Sequence, residues 1–275
     1  MQNHTDTSQN IRKYGSSPFN IVVIHGGPGA AGSLTPVARE LSKNSGILEP
    51  FQTRRTIEGQ IQELKVILEI QGEPPYTLIG HSWGAWLGYI YASRYPSGVR
   101  KLIMIGSGPF LERYARGIIN TRMQRLTVNE RTELTTLLNS LEDPAIRDTD
   151  NTFMKAADLI RKADSFSPID LPEASIQCRY DIFQSIWKEA EELRNSGELL
   201  NLAVKIRCPV TVIHGDYDPH PFKGIVEPLS SRIKSFKFAL LEKCGHEPWN
   251  ERYAKEEFYS ILMQEIGLAG VRREA

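Results

Sequence analysis

A serine stands between two glycines in the stretch "LIGHSWGAWLGYIYASRYP", where Gly80, Ser82 and Gly84 fall at the join between an apolar, strand-like run and a helical one. In that setting G-x-S-x-G reads as a nucleophile elbow, a turn sharp enough to force the serine into an unfavourable backbone conformation. Glycines two residues to either side remove the side chains that would clash. A serine hydroxyl is a weak nucleophile until a base takes its proton, so Ser82 requires a histidine and a carboxylate elsewhere in the chain. Asp218, in "HGDYD", and His246, in "KCGHEPW", each follow an apolar run, in the order that goes with such an elbow. Asp216 competes for the acid role, and Asp218 is favoured because it lies further out along its loop, closer to the rim of the expected sheet. A charged tetrahedral intermediate also needs backbone donors for its oxyanion. One is expected from the N–H of Trp83, directly after the nucleophile. The other is expected from Gly27 in "HGGPG", because Pro28 has no N–H.

Other residues of the same types read differently. His25 and His81 sit beside backbone turns and are expected to pack, and Trp83 and Trp86 are expected in the core or a pocket wall. His214, Asp216, Asp218 and His220 cluster in sequence, but no carboxylate partner lies at a recognised ligand spacing, so neither metal nor cofactor is expected.

Positioning these groups takes strands that all end at one edge. Apolar runs alternate with helical patterns: "NIVVIHGGPG", then Leu34 to Lys43, "GILE", then a helix in which Ile57, Ile61, Leu64 and Leu68 form one apolar face. A strand at Thr77 to Ile79, a helix at Ala85 to Tyr95 and the strand "KLIMIG" continue the series. Such alternation implies right-handed crossovers and a parallel sheet covered by helices on both faces. From Pro109 to Leu200 only helical spacing is found, as at Leu134, Leu137, Leu138 and Leu141. Strands return at "CPVTVIHGDYD" and "SFKFALLEKCGH". A helix over "NERYAKEEFYSILMQEI" closes the chain, with Phe258, Ile261, Leu262 and Ile266 as its apolar side, and the last residues, "VRREA", are expected to fray. The expected division is an α/β core over 1–108 and 201–275 with a helical insertion over 109–200.

The 275 residues carry a formal net charge of zero, which leaves no electrostatic footprint for nucleic acid or an anionic membrane surface. The polar start "MQNHTDTSQN" lacks the form of a signal peptide, and no apolar run reaches a membrane span. Three cysteines, Cys178, Cys208 and Cys244, lie far apart with no C-x-x-C spacing, which fits a reducing cytoplasm. A small-molecule substrate is the expected partner; the sequence leaves oligomeric state open.

Together "HGGPG", "GHSWGA", "HGDYD" and "CGHEPW" make the chain resemble the α/β-hydrolase superfamily from its first strand to its last helix. That resemblance implies a mostly parallel sheet flanked by helices and a helical lid over Ser82, which 109–200 would supply. "HGGPG" with "SWG" is most similar to proline iminopeptidases, which release an N-terminal residue and hold its amino group with acidic lid side chains. The chain departs from that subfamily in having His81 where a glycine is usual, and "EPFQTRRTI" where an Asp-x-x-Gly-x-Gly-x-Ser loop is usual. The two-stranded hairpin that begins most of the superfamily is expected to be absent or reduced. The expected activity is cofactor-free cleavage of a small ester or amide through an acyl-enzyme on Ser82. The alternatives are an aminopeptidase, with Glu112, Asp158, Asp181, Glu189, Glu192 or Glu247 as the ammonium site, and a ligand receptor with little turnover.

Overall fold

The computed structural model describes residues 10–143, 145–169 and 176–268. In chain order the elements begin with β1 (Ile11–Tyr14), β2 (Phe19–Ile24), β3 (Ala30–Ala31), α1 (Thr35–Leu41), β4 (Gly46–Pro50), α2 (Ile57–Gln71), β5 (Tyr76–His81), α3 (Trp83–Arg94) and β6 (Val99–Ile105). Then come α4 (Glu112–Ala115), α5 (Ile118–Arg125), α6 (Val128–Leu141), α7 (Thr149–Asp164), β7 (Gln177–Cys178), α8 (Tyr180–Asn195) and α9 (Glu198–Asn201). The chain closes with β8 (Val210–Gly215), α10 (Lys223–Ser230), β9 (Phe236–Leu241) and α11 (Lys255–Glu265).

Seven strands form one sheet in the order β1-β4-β2-β5-β6-β8-β9. All neighbours run parallel except β1, which pairs antiparallel with β4. The sequence-based strands therefore fall where expected, and the reduced hairpin is seen as the single antiparallel strand β1, which does not pair with β2. Along β2 and β5 the side chains alternate between two cores. Val22, Ile24 and Leu78 join α2 and α3 on one face, while Ile21, Val23 and Ile79 join α1 and α11 on the other. Burial on both faces is why these strands read as continuous apolar runs.

Two details differ from the sequence reading. The inserted stretch does contain a strand: β7 pairs antiparallel with β3, Ala30 opposite Cys178 and Ala31 opposite Gln177. Two residues pairing with two leave no periodic signal. The closing helix begins at Lys255, not near Asn250, because Pro248–Asn250 form a 3-10 turn and Glu251 is occupied elsewhere. Residues 1–9 and 271–275, where a polar start and a frayed end were expected, lie outside the described residues.

The strand ends that matter lie level with one another. His81 is opposite Ile105, and Ile105 opposite Ile213. The next amides continue the ladder, Ser82 N–H donating to the Ile105 carbonyl at 2.9 Å and Gly106 N–H to the Ile213 carbonyl at 3.0 Å. The C-terminal edge of the sheet is thus one continuous rim, the edge at which open α/β sheets take ligands.

Candidate active site

At the rim, Ser82 sits between β5 and α3 with φ 53° and ψ −114°, a conformation that costs a non-glycine residue about 1–3 kcal/mol. The flanking glycines are required by close approach. A Cβ on Gly80 would fall 2.2 Å from the Gly84 carbonyl oxygen, and one on Gly84 would fall 2.1 Å from that of Ile24. Larger residues at either place would push helix and strands apart and flatten the elbow.

Trp83 opens α3, so its N–H has no partner within the helix. Gly27, with φ 46°, ends the "HGG" turn, and its carbonyl accepts from the Ala30 N–H at 2.9 Å. The neighbouring Gly26 N–H is taken by Ser33 Oγ at 3.2 Å. Among the described residues the N–H groups of Gly27 and Trp83 donate to nothing, which leaves both free for an oxyanion.

Asp218 follows β8 with its side chain fully buried, and Oδ2 accepts from His246 Nδ1 at 2.7 Å. Its other oxygen, Oδ1, accepts from the His220 backbone N–H at 2.9 Å and from His220 Nδ1 at 2.8 Å. Burial alone would raise the Asp218 pKa, but the surrounding histidines, His246 first, and the His220 hydrogen bond hold it well below the usual carboxylate range. His246 is pulled down by burial and pushed up more strongly by Asp218, ending above its ordinary value. A histidine whose Nδ1–H is fixed on a carboxylate presents Nε2 as the base. Ser82 Oγ makes no hydrogen bond among the described residues, so the His–Asp half of the constellation is formed and the Ser–His half is open. Such bonds commonly tighten only when substrate is bound.

Asp216 is separate from this cluster. Its Oδ1 accepts the Cys244 N–H at 3.1 Å, which ties the β8 and β9 loops together. His25 packs as expected: it is fully buried, and burial lowers its pKa to about 4. His81 packs too, but with a further consequence. Its Nε2–H donates to the His246 carbonyl at 3.0 Å and its ring lies 4.6 Å from that of His246, so the residue before Ser82 braces His246. Trp83 and Trp86 are buried, and Trp86 stacks on Trp187 of α8 at 6.4 Å, with Phe183 stacked beyond at 6.1 Å.

The His246 loop also hangs on the inserted helices, by residues the sequence reading missed. The His246 N–H donates to the Asp164 carbonyl at 2.9 Å. Arg122 of α5 grips the Asp164 carboxylate with two bonds, at 2.8 and 2.7 Å. Buried Glu251 accepts the N–H groups of Gly245, Phe166 and Ser167 at 3.0, 2.7 and 2.7 Å. In sequence Glu251 looks like any acid near the start of an exposed helix. His220 did carry a signal: in "DPHP" both Asp218 and His220 precede prolines, which confines each to extended backbone and aims its side chain.

Of the carboxylates considered for an ammonium group, Glu112 pairs with Arg194, Asp158 with Arg161, and Asp181 with Arg55 and Arg179. Glu189 accepts the Ile57 N–H at the start of α2, and Glu192 is exposed. Glu247, next to His246, has its pKa raised by burial against the opposing effects of His246, Arg161 and Asn250. Asp218, His220 and His246 offer possible metal-ligand atoms within 4.8 Å of one another, but Asp218 already binds both imidazoles through their Nδ1 atoms.

A model of the alpha/beta hydrolase fold family matches residues 50–249. The chain belongs to the α/β-hydrolase fold family. It is 23% identical over 273 residues to a proline iminopeptidase of Lactobacillus helveticus, covering 89% of this chain and 88% of that one. Over 209 residues it is 24% identical to the human (Homo sapiens) monoacylglycerol lipase ABHD6, covering 73% of this chain and 58% of the relative. The crystal structure of a proline iminopeptidase from Mycobacterium smegmatis superposes with a TM-score of 0.60 at 19% identity, covering 92% of each chain. This α/β hydrolase is therefore an enzyme with relatives of both peptidase and lipase type.

Proposed function

We propose that this hydrolase cleaves a small ester or amide through an acyl-enzyme on Ser82. His246 Nε2 takes the Ser82 proton as Oγ attacks the carbonyl carbon, Asp218 fixes the tautomer, and the Gly27 and Trp83 N–H groups receive the oxyanion. The imidazolium then protonates the leaving group, and water completes hydrolysis by the same steps in reverse order. The observation that carries this reading is the 2.7 Å bond from His246 Nδ1 to buried Asp218, on the same rim as a serine held at φ 53°. In this reading 109–200 is the lid, no metal or cofactor takes part, and the substrate is a small molecule. Its three unpaired cysteines fit a cytoplasmic location.

An aminopeptidase is the second reading, favoured by the proline iminopeptidase relatives and by Glu247 beside the base. An ammonium group in a closed pocket needs such a carboxylate to offset its desolvation. The test compares short-chain activated esters with alanyl and prolyl arylamides, free and N-acetylated. We expect ester turnover and no large advantage from a free α-amino group. A fast arylamide reaction abolished by acetylation selects the aminopeptidase, and absence of turnover on every substrate selects a receptor.

A further inference from the structure

The carboxylate of Asp218 hydrogen-bonds two imidazoles in nearly the same way, while Nε2 of a third, His214, lies 3.5 Å from Oδ2 and donates to the His220 carbonyl. Oδ2 accepts from His246 Nδ1 at 2.7 Å and Oδ1 from His220 Nδ1 at 2.8 Å. The two rings lie 4.7 Å apart with 31° between their planes. Acyl transfer requires one of these histidines and gives no role to the other. His220 is nevertheless held with care. Its own N–H also donates to Oδ1, its carbonyl accepts from His214 Nε2 at 2.7 Å, and prolines flank it on both sides. Burial brings its pKa to about 4, so at neutral pH the ring is uncharged and its Nδ1 carries the proton that Asp218 accepts.

We propose that His220 is a positioning residue: its neutral ring holds the second oxygen of Asp218, fixing the carboxylate plane and setting how strongly the first oxygen stabilises protonated His246. This rests on reading Asp218 and His246 as the orienting acid and the base. A carboxylate that shares its charge with a second donor is a weaker partner for an imidazolium. Removing that donor concentrates charge on the oxygen facing His246 and makes the base more basic. It also frees Asp218 to rotate, which misaligns His246. The groups that face this pair are His214, Asp218 and Arg122 around His220, and Asp164, Arg122, His81 and Glu247 around His246. Changing His220 alone alters the chemistry of none of these groups.

Two variants separate positioning from packing. His220→Leu removes the donor, whereas His220→Asn puts an amide N–H near the place of Nδ1. In His220→Leu the acid limb of kcat/KM should move to higher pH and kcat should fall about ten- to a hundredfold, the range expected for a lost hydrogen bond to a charged group, with KM little changed. His220→Asn should return the limb towards its original position. An NMR titration of the His246 ring in a Ser82→Ala background reads the same shift without turnover. A failure of the function reading therefore leaves this measurement intact. Equal His246 titrations with His220 present, changed to Leu and changed to Asn would overturn the proposal. If the Leu variant does not fold, nitrogen NMR of the unmodified protein decides. His220 found with its proton on Nε2, and not on Nδ1, also overturns it.

Discussion

Two helices that border the site, α3 after Ser82 and α7 ending at Asp164, whose carbonyl accepts the His246 N–H, show how differently its two walls are built. In α3 every residue from Trp83 to Ser93 is buried, against the sheet on one side and neighbouring helices on the other. In the longer α7 only Ala156, Ala163 and Asp164 are buried, and the two alanines lie in a small cluster that adds Leu126 and Leu134. The wall that bears Ser82 is thus part of the main core, with no freedom to move without disrupting it. The second wall, α5 to α7, has that minor core and is tied by charge, Arg122 to Asp164 and Glu251 to the Phe166 and Ser167 amides. Helices α8 and α9, by contrast, lend Ile182, Ile186, Ala190, Leu199 and Leu200 to the main core. Reaction geometry should follow the first wall, and opening should follow the second, since segments with few buried apolar contacts open at lower free energy.

The sharpest break in that comparison is at the elbow itself. Ser82→Ala leaves both walls intact and should lower kcat by about four to six powers of ten, leaving what the oxyanion hole and binding still supply. Near-normal turnover in that variant would remove the chemistry from the core wall altogether. Asp218→Asn should cost about four powers of ten, because an amide favours the wrong histidine tautomer. Asp216→Asn keeps an oxygen for the Cys244 N–H and should change the rate only slightly; the reverse ranking, in steady-state assays of both variants, would exchange their roles.

The ties of the inserted wall come next in size. Arg122→Met leaves the buried Asp164 carboxylate without its partner, a change that costs about 3 kcal/mol for a buried pair. Urea unfolding should show the loss, and amide exchange should quicken across α5 to α7 while β5 and α3 stay protected. Uniform exchange over both walls would mean that they open as one unit.

The smallest effects are those of pH. His246 titrates above the ordinary 6.5 and acts unprotonated, so kcat/KM should rise with pH through a value above 6.5, and an acid limb below that value would contradict the Asp218 pairing. His25, at the end of β2, is neutral in the folded chain down to about 4, while an unfolded histidine takes its proton near 6.5. Between those values the unfolded chain binds more protons, so stability falls as pH is lowered through this window. Thermal melts of the protein and of His25→Asn should show a shallower fall in the variant.

Much of the core wall was legible in the sequence because close packing constrains residue type there. Gly80 and Gly84 cannot be larger without striking backbone, and strands buried on two faces have to be apolar throughout. The Asp218 position could be read because it follows such a strand, β8, and His246 because it follows β9, an edge strand that is half exposed but still strand-like in its alternation. The inserted wall was legible only as helices. Glu251 serves three amides that come from the ends of distant elements, and β7 exists only because β3 is present to pair with it. His220 stands in the sequence beside His214, Asp216 and Asp218 with no ligand spacing, and nothing in spacing alone shows that its ring turns back onto Asp218.

The stack of Trp86 on Trp187 gives the molecule a built-in optical gauge. One indole belongs to the core helix and the other to the inserted one, their rings 6.4 Å apart and 7° from parallel. Two indoles that close couple their electronic transitions, and because the Trp83 ring also lies 6.5 Å from that of Trp86, loss of the Trp187 stack would change the dichroism of the group and not abolish it. Trp83 and Trp249 are buried as well. A stopped-flow record of intrinsic emission on mixing with an ester should therefore read whether α8 keeps its packing on α3, with no label attached and at the speed of a single turnover.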